Sequence, residues 1–253
     1  MRRRLLKYLG MGVAGFALLI GAEVIFALNR DYPVASPPKV IRGTFGNPSL
    51  PPTKFVVLGD STAVGVGTTP EHSFSWLLAE WLGQRLHVDL EVLGLSGATT
   101  KDVNQRQVPE ALKRKPDLVL IEIGGNDVTH VTSIRTVRRE MGRALDRLKA
   151  AGIHVVVAGP PHMGTSPAFP QPLRALSGWR GSAVRRAIED QVRRREIDYI
   201  DLSAGTHREF RRHPVKYYSE DWFHPGAGGY RLWAEVMYPT VLRAALKVSS
   251  LAS

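Results

Sequence analysis

Five short runs rich in valine, isoleucine and leucine constrain this chain more than any other feature. They are Phe55–Leu58, Val88–Leu93, Leu118–Ile123, Ile153–Ala158 and Ile197–Leu202. Runs of four to six residues rich in Val, Ile and Leu are the pattern of strands buried on both faces. Longer helical patterns separate them, over Ser73–Leu86, Thr100–Lys113, Ser133–Ala150 and Leu173–Arg195, and a last one runs from Gly228 to Leu246. In the fourth, Ala183, Val184, Ala187, Ile188, Gln191 and Val192 share one face and arginines take the other. Strands alternating with helices imply right-handed crossovers covering both sides of a parallel sheet. The expectation is a three-layer α/β/α fold with a parallel five-stranded sheet.

The first 53 residues follow a different pattern. Residues 1–8 read MRRRLLKY, and Leu9 to Leu28 form a 20-residue run whose single charge is Glu23. About 20 apolar residues suffice for a helix to cross a bilayer. The preceding Arg2, Arg3, Arg4 and Lys7 place the N-terminus on the cytoplasmic side. One N-terminal transmembrane helix over 9–28 is therefore expected, with the rest of the chain extracytoplasmic. A basic start and an apolar run also describe a signal peptide, and the chain would be secreted if that segment were cleaved. The run is long for such a peptide, and no good small-x-small cleavage site follows it. Residues 29–53 contain six prolines and no apolar periodicity, and read as a Pro-rich tether. The folded unit is expected over 54–247, with 248–253 as a C-terminal tail.

In an open parallel sheet the ligand site lies beyond the carboxyl ends of the strands. Three of those ends read Gly59-Asp60-Ser61-Thr62, Gly94-Leu95-Ser96-Gly97 and Gly124-Gly125-Asn126-Asp127. Glycine beside a small polar residue at three strand ends allows tight turns and close approach of backbone N–H groups to a ligand. The chain has no cysteine, which excludes disulfides, a thiol nucleophile and thiolate metal sites. Nucleophile candidates are Ser61 and Ser96, the latter in a near miss to the G-x-S-x-G elbow. A serine needs a base, and of eight histidines three are candidates: His130 after the third glycine loop, His162 after the fourth strand, and His224 in Asp221-Trp222-Phe223-His224-Pro225. In the last, Asp and His three residues apart can share one side of a short turn.

Taken together, Val56–Ser61 (VVLGDS), Leu95–Thr100 (LSGATT), Ile123–Asp127 (IGGND) and Asp221–Pro225 (DWFHP) resemble the four ordered blocks of the SGNH/GDSL hydrolases. The resemblance spans nearly the whole domain and implies a flavodoxin-like α/β/α fold. It implies Ser61 as nucleophile, His224 as general base and Asp221 as its orienting partner. Gly97 and Asn126, with Ser61, would supply the oxyanion hole. Thr62 departs from the family's motif, which carries leucine there, and leaves the subfamily open.

The activity implied is that of a serine esterase or lipase working through an acyl-enzyme on an acyl or acetyl ester of a lipid, glycan or small molecule. No metal or cofactor is required. Asp60 and Asp127 are expected to brace their loops. The alternative of Asp60, Asp127, Asp221 and His224 as a two-metal phosphoesterase site leaves Ser61 and Asn126 without a role. A catalytically silent envelope-binding module is the other alternative, and the intact set of site residues weighs against it. The segment His162–Pro172 is a candidate wall of the site. The net charge of +11 lies partly in residues 1–30 and otherwise on arginine-rich helical faces. With no nucleic-acid motif present, the expected partners are the membrane, through the N-terminal helix, and anionic envelope polymers.

Overall fold

A computed structural model describes residues 2–28 and 41–252. Helix α1 spans Arg2–Leu28. Among the described residues no helix is long and apolar enough to cross a membrane. Several side chains of the Leu9–Leu28 run, and residues 29–40 of the expected tether, lie outside them.

Six strands form one sheet: β1 (Arg42–Phe45), β2 (Pro52–Gly59), β3 (His87–Val92), β4 (Leu118–Glu122), β5 (His154–Ala158) and β6 (Asp198–Ile200). Their order is β1-β3-β2-β4-β5-β6. Neighbours run parallel except β1, which lies antiparallel on β3 with Arg42 opposite Glu91 and Phe45 opposite Val88. The expected five-stranded, all-parallel sheet is corrected by this edge strand, which falls inside the stretch read as tether. Arg42-Gly43-Thr44-Phe45 lacks the apolar run of a central strand. Backbone pairing holds it, with polar links on its outer side: Arg42 to Glu91 at 2.6 Å and Thr44 to Asp89 at 3.0 Å. Phe45 closes the edge against Trp76, the ring centroids 4.9 Å apart.

Successive side chains of a strand point to opposite faces, and the central strands bury both. Phe55, Val57, Leu118 and Leu120 face one layer, packed with Phe74, Leu78 and Leu82 of α2 (Phe74–Gly83). Trp233, Met237 and Val241 of α10 (Ala227–Ala252) complete that layer. Val56, Leu58, Val119 and Ile121 face the other, against α6 (Ile134–Ala150) and α7 (Leu173–Arg193) through Met141, Leu145, Val184 and Ile188. Each such side chain, fully buried, contributes about 1.5–3 kcal/mol. Helices α2 and α6 begin on capping side chains, Ser73 accepting from Trp76 N and Ser133 from Thr136 N.

The helical expectations change in detail. The stretch from Thr100 is α3 (Thr100–Asp102), a π-helical segment (Val103–Gln107) and α4 (Val108–Arg114). Pro109 has no N–H to offer the preceding turn, and the N–H of Val108 reaches back five residues to Val103. A short α5 (Gly125–Thr129) opens on the third glycine loop. The end of the fifth strand run leads directly into α8 (Leu202–Arg212), which Asp201 caps by accepting from Ala204 N, and then into α9 (Pro214–Tyr217). Helix α10 runs Ala227–Ala252, so residues assigned to a tail continue the helix.

Candidate active site

The glycine-ended loops after β2, β3 and β4 gather at the carboxyl edge of the sheet, and the first carries Ser61. Gly59 ends β2 at φ +156°, and a Cβ there would sit 2.2 Å from the Glu122 carbonyl oxygen. The turn is clamped from the side by Gln107 of the π-helical segment. Its Oε1 accepts from Gly59 N at 2.9 Å, and its Nε2 donates to Gly59 O at 2.8 Å. Asp60 then folds the chain back, its Oδ1 accepting from Thr62 N at 2.9 Å and Thr62 Oγ1 at 2.8 Å. This leaves the Ser61 hydroxyl turned toward the loop before α10.

That loop is a closed hairpin. Tyr218 bridges Pro225, Ser219 N donates to His224 O at 2.9 Å, and Gly226 N donates to Tyr217 O at 2.9 Å. Asp221 and His224 therefore face each other, Asp221 Oδ2 lying 2.5 Å from His224 Nδ1. His224 Nε2 lies 2.9 Å from Ser61 Oγ. The second Asp221 oxygen accepts from Ser219 Oγ at 2.7 Å and from the backbone N–H groups of Phe223 and His224, each at 2.8 Å. Burial raises the Asp221 pKa, but the His224 hydrogen bond, the two backbone donors and the imidazole's charge outweigh it and bring the value down to about 2. Asp221 thus stays ionised and holds Nδ1 as a donor, leaving Nε2 to accept a proton from Ser61.

The candidate oxyanion donors lie on the second and third glycine loops. Gly97 lies at φ +80° in the turn closed by Ala98 N on Leu95 O, with nothing within 4 Å of where a Cβ would project. Neither Ser61 N nor Gly97 N has an acceptor among the described residues. Asn126, in the first turn of α5, donates through Nδ2 to Ala98 O at 3.0 Å and to Asp60 Oδ2 at 3.3 Å. Asp127 is buried and braces the second and third loops together, accepting from Thr100 N and Thr100 Oγ1, both at 2.9 Å. Burial raises its pKa, opposed by those hydrogen bonds.

The structure thus brings Ser61, Asp221, His224 and Asn126 together, with Asp60 as the brace beneath them. Ser96 is exposed and has no hydrogen bond to a histidine, and His130 is exposed at the end of α5. His162 lines the same pocket, half-buried over His207 with ring centroids 5.9 Å apart, its pKa lowered by burial. Among the described residues, no three His, Asp or Glu side chains are arranged to hold a metal ion. Met163, Thr165 and Ser166 line the pocket with Phe210, Tyr218 and Phe223, so the segment after β5 does form a wall. Ser166 donates to Trp222 O at 2.8 Å, and Phe169 packs edge-on against Phe223. Arg174 fixes that wall by donating to Phe169 O at 2.7 Å and Pro167 O at 3.3 Å. Sequence reasoning missed Gln107, Ser219 and Glu122, and gave Thr100 no role beyond its place in the Leu95–Thr100 block. Only Glu122 left a signal, as the one charge in the run Leu118–Ile123.

The sequence model of the GDSL-like Lipase/Acylhydrolase family matches residues 57–232, which contain every one of these site residues. Similar curated proteins include a GDSL-like esterase of Mycobacterium tuberculosis, 33% identical over 197 residues, covering 76% of this chain and 62% of that protein. An arylesterase of Vibrio mimicus is 32% identical over 117 residues, 44% of this chain and 58% of that protein. The chain thus spans about three fifths of the length of these relatives. Among solved structures, LAE5, an alpha/beta hydrolase enzyme from the metagenome of Lake Arreo, shares the fold at TM-score 0.62 and 20% identity. That match covers 76% of this chain and 94% of the other. The lipase/acylhydrolase from Enterococcus faecalis matches at TM-score 0.59 and 23% identity, covering 76% and 96%.

Proposed function

The chain belongs to the GDSL-like lipase/acylhydrolase family, and on that premise we propose that it hydrolyses carboxylic esters through an acyl-enzyme on Ser61. The observation that carries this reading is the continuous hydrogen-bond relay Asp221–His224–Ser61, with links of 2.5 and 2.9 Å. As Ser61 Oγ attacks the ester carbonyl, its proton passes to His224 Nε2, and Asp221 stabilises the imidazolium. The tetrahedral oxyanion takes the backbone N–H groups of Ser61 and Gly97. Asn126 adds its side-chain amide by exchanging the longer of its two hydrogen bonds, that to Asp60. His224 returns the proton to the leaving alkoxide, then serves as base for the water that hydrolyses the acyl-enzyme. Each well-placed oxyanion donor is worth roughly 2.7–4 kcal/mol of barrier. The two curated relatives are themselves named esterases, which supports the ester as substrate.

We propose further that Leu9–Leu28 anchors the chain in a membrane with the catalytic domain extracytoplasmic. The support is in the sequence: 20 residues with one charge, behind four basic residues. Esters of envelope lipids or glycans are then the substrates within reach, and the arginine-rich faces of α6 and α7 suit anionic envelope polymers. Labelling with a serine-directed fluorophosphonate tests the nucleophile. The full chain is expected to be labelled and Ser61→Ala is not; labelling that survives in Ser61→Ala sinks the assignment. Alkaline extraction of membranes tests the anchor, the full chain staying in the pellet and a chain starting at Ile41 coming off.

A further inference from the structure

Glu122 ends β4 with 1% of its surface exposed, behind the nucleophile's turn. Its one hydrogen-bond partner among the described residues is Thr62, whose Oγ1 makes a short contact with Glu122 Oε2. The same Thr62 Oγ1 lies 2.8 Å from Asp60 Oδ1. A hydroxyl has one hydrogen to give. Were both acids ionised, Thr62 could satisfy one of them, and its lone pairs would face the other at hydrogen-bond distance. Both contacts hold together only if one acid carries a proton and donates it to the threonine oxygen.

The geometry decides which. Asp60 collects donors: Thr62 N and Thr62 Oγ1 on one oxygen and Asn126 Nδ2 on the other. Glu122 has nothing but the threonine oxygen to meet it. We propose, resting on the esterase reading above, that Glu122 is held as a neutral carboxylic acid. It donates its hydrogen to Thr62 Oγ1, which in turn donates to Asp60, so that Glu122 is a positioning residue for Ser61 and Asn126.

The electrostatic surroundings agree. Burial raises the Glu122 pKa well above the usual carboxylate range, with the charge of Asp60 adding to it and the Thr62 bond opposing. Burial raises Asp60 too, but the Thr62 hydrogen bonds and the charge of His224 work against that rise. Around the pair stand Tyr230 of α10, Asp127 after β4, and Asp221 and His224 of the hairpin. Lysine and arginine play no part in shifting Glu122. Ionising Glu122 would pull the Thr62 hydrogen away from Asp60 and loosen the turn that presents Ser61. Catalysis is then lost at alkaline pH through a group that never touches substrate.

Infrared spectroscopy of the full chain at neutral pH tests the proton directly. The expected result is a protonated-carboxyl C=O band that is absent in Glu122→Gln and moves to higher frequency in Thr62→Val, which lacks the acceptor. No such band in the unsubstituted chain, or a band that both variants leave unmoved, overturns the proposal. The pH profile of p-nitrophenyl acetate hydrolysis supplies the second readout. Glu122→Ala is expected to lower kcat about tenfold, the cost of leaving the threonine oxygen without its donor. Glu122→Gln, whose amide donates to the same oxygen and does not ionise, recovers most of that loss and lacks the alkaline falling limb. An alkaline limb identical in the unsubstituted chain and Glu122→Gln refutes the role. Failure of the esterase reading looks different: no turnover and no Ser61 labelling, with the infrared band still present.

Discussion

Asp221 Oδ2 lies 2.5 Å from Nδ1 of His224, and the other Asp221 oxygen accepts the backbone N–H groups of Phe223 and His224. One carboxylate thus both shapes the hairpin and fixes the imidazole. A four-residue Asp-x-x-His segment can do this because the hairpin is closed at Tyr218–Pro225 before the side chains meet.

Replacing Asp221 with asparagine keeps the shape but allows the amide to donate to Nδ1, which favours the wrong imidazole tautomer. The expected loss in kcat is about 10³–10⁴-fold with KM little changed, as for the equivalent exchange in a protease triad. Steady-state kinetics on a short acyl ester checks it. A loss below tenfold would remove Asp221 from the relay.

The same carboxylate predicts a dependence of stability on acid. Its folded pKa of about 2 lies below the reference 3.8, so it stabilises the fold above the unfolded value, and that contribution disappears as pH falls from about 4 to 2. A shift of this size corresponds to about 2 kcal/mol near neutrality. Asp60, Glu122 and Asp127, whose pKa values are raised, act with the opposite sign and favour the fold as they protonate. The informative quantity is therefore the difference between the unsubstituted chain and Asp221→Asn in urea denaturation. That difference is expected to shrink between pH 4 and pH 2, and a constant difference would contradict the assignment.

Asn126→Ala removes a donor whose present partners are Ala98 O and Asp60. kcat is expected to fall roughly 10²–10³-fold. The thermal midpoint should drop only by the degrees that one lost hydrogen bond entails. A raised KM with kcat unchanged would instead point to a role in the ground state.

Two glycines at strand ends separate backbone strain from space. Gly97→Ala meets no atom within 4 Å but holds φ at +80°, so the cost expected is the about 1–2 kcal/mol of a left-handed residue with a Cβ. Gly59→Ala would drive its methyl to 2.2 Å from the Glu122 carbonyl oxygen, a backbone atom that cannot swing away. It is expected to fail to fold or to lose several times as much stability. Denaturation of both variants decides the matter, and equal costs would contradict this reading.

The sequence by itself determined the layers and most of the chemistry. Apolar-rich runs of strand length alternating with helical patterns are satisfied by a sheet covered on both faces, and such a sheet puts Gly59–Ser61, Gly94–Gly97 and Gly124–Asp127 at one edge. It did not disclose β1, because Arg42–Phe45 is held by backbone pairing and two polar links that leave no periodicity in its residues. Nor did it show α8, whose cap Asp201 adjoins the fifth strand run. Between Ser61 and Ser96 local pattern could not choose, since either stands after a strand beside a glycine; the four ordered blocks implied Ser61, and it is Ser61 that lies beside a histidine 163 residues away. The hairpin that closes Asp221 on His224, the π-helical register that delivers Gln107 to Gly59, and the placing of Glu122 against Thr62 were decided by the tertiary structure alone. Each depends on distance and hydrogen-bond direction between segments far apart in the chain. Residue type and spacing carry neither.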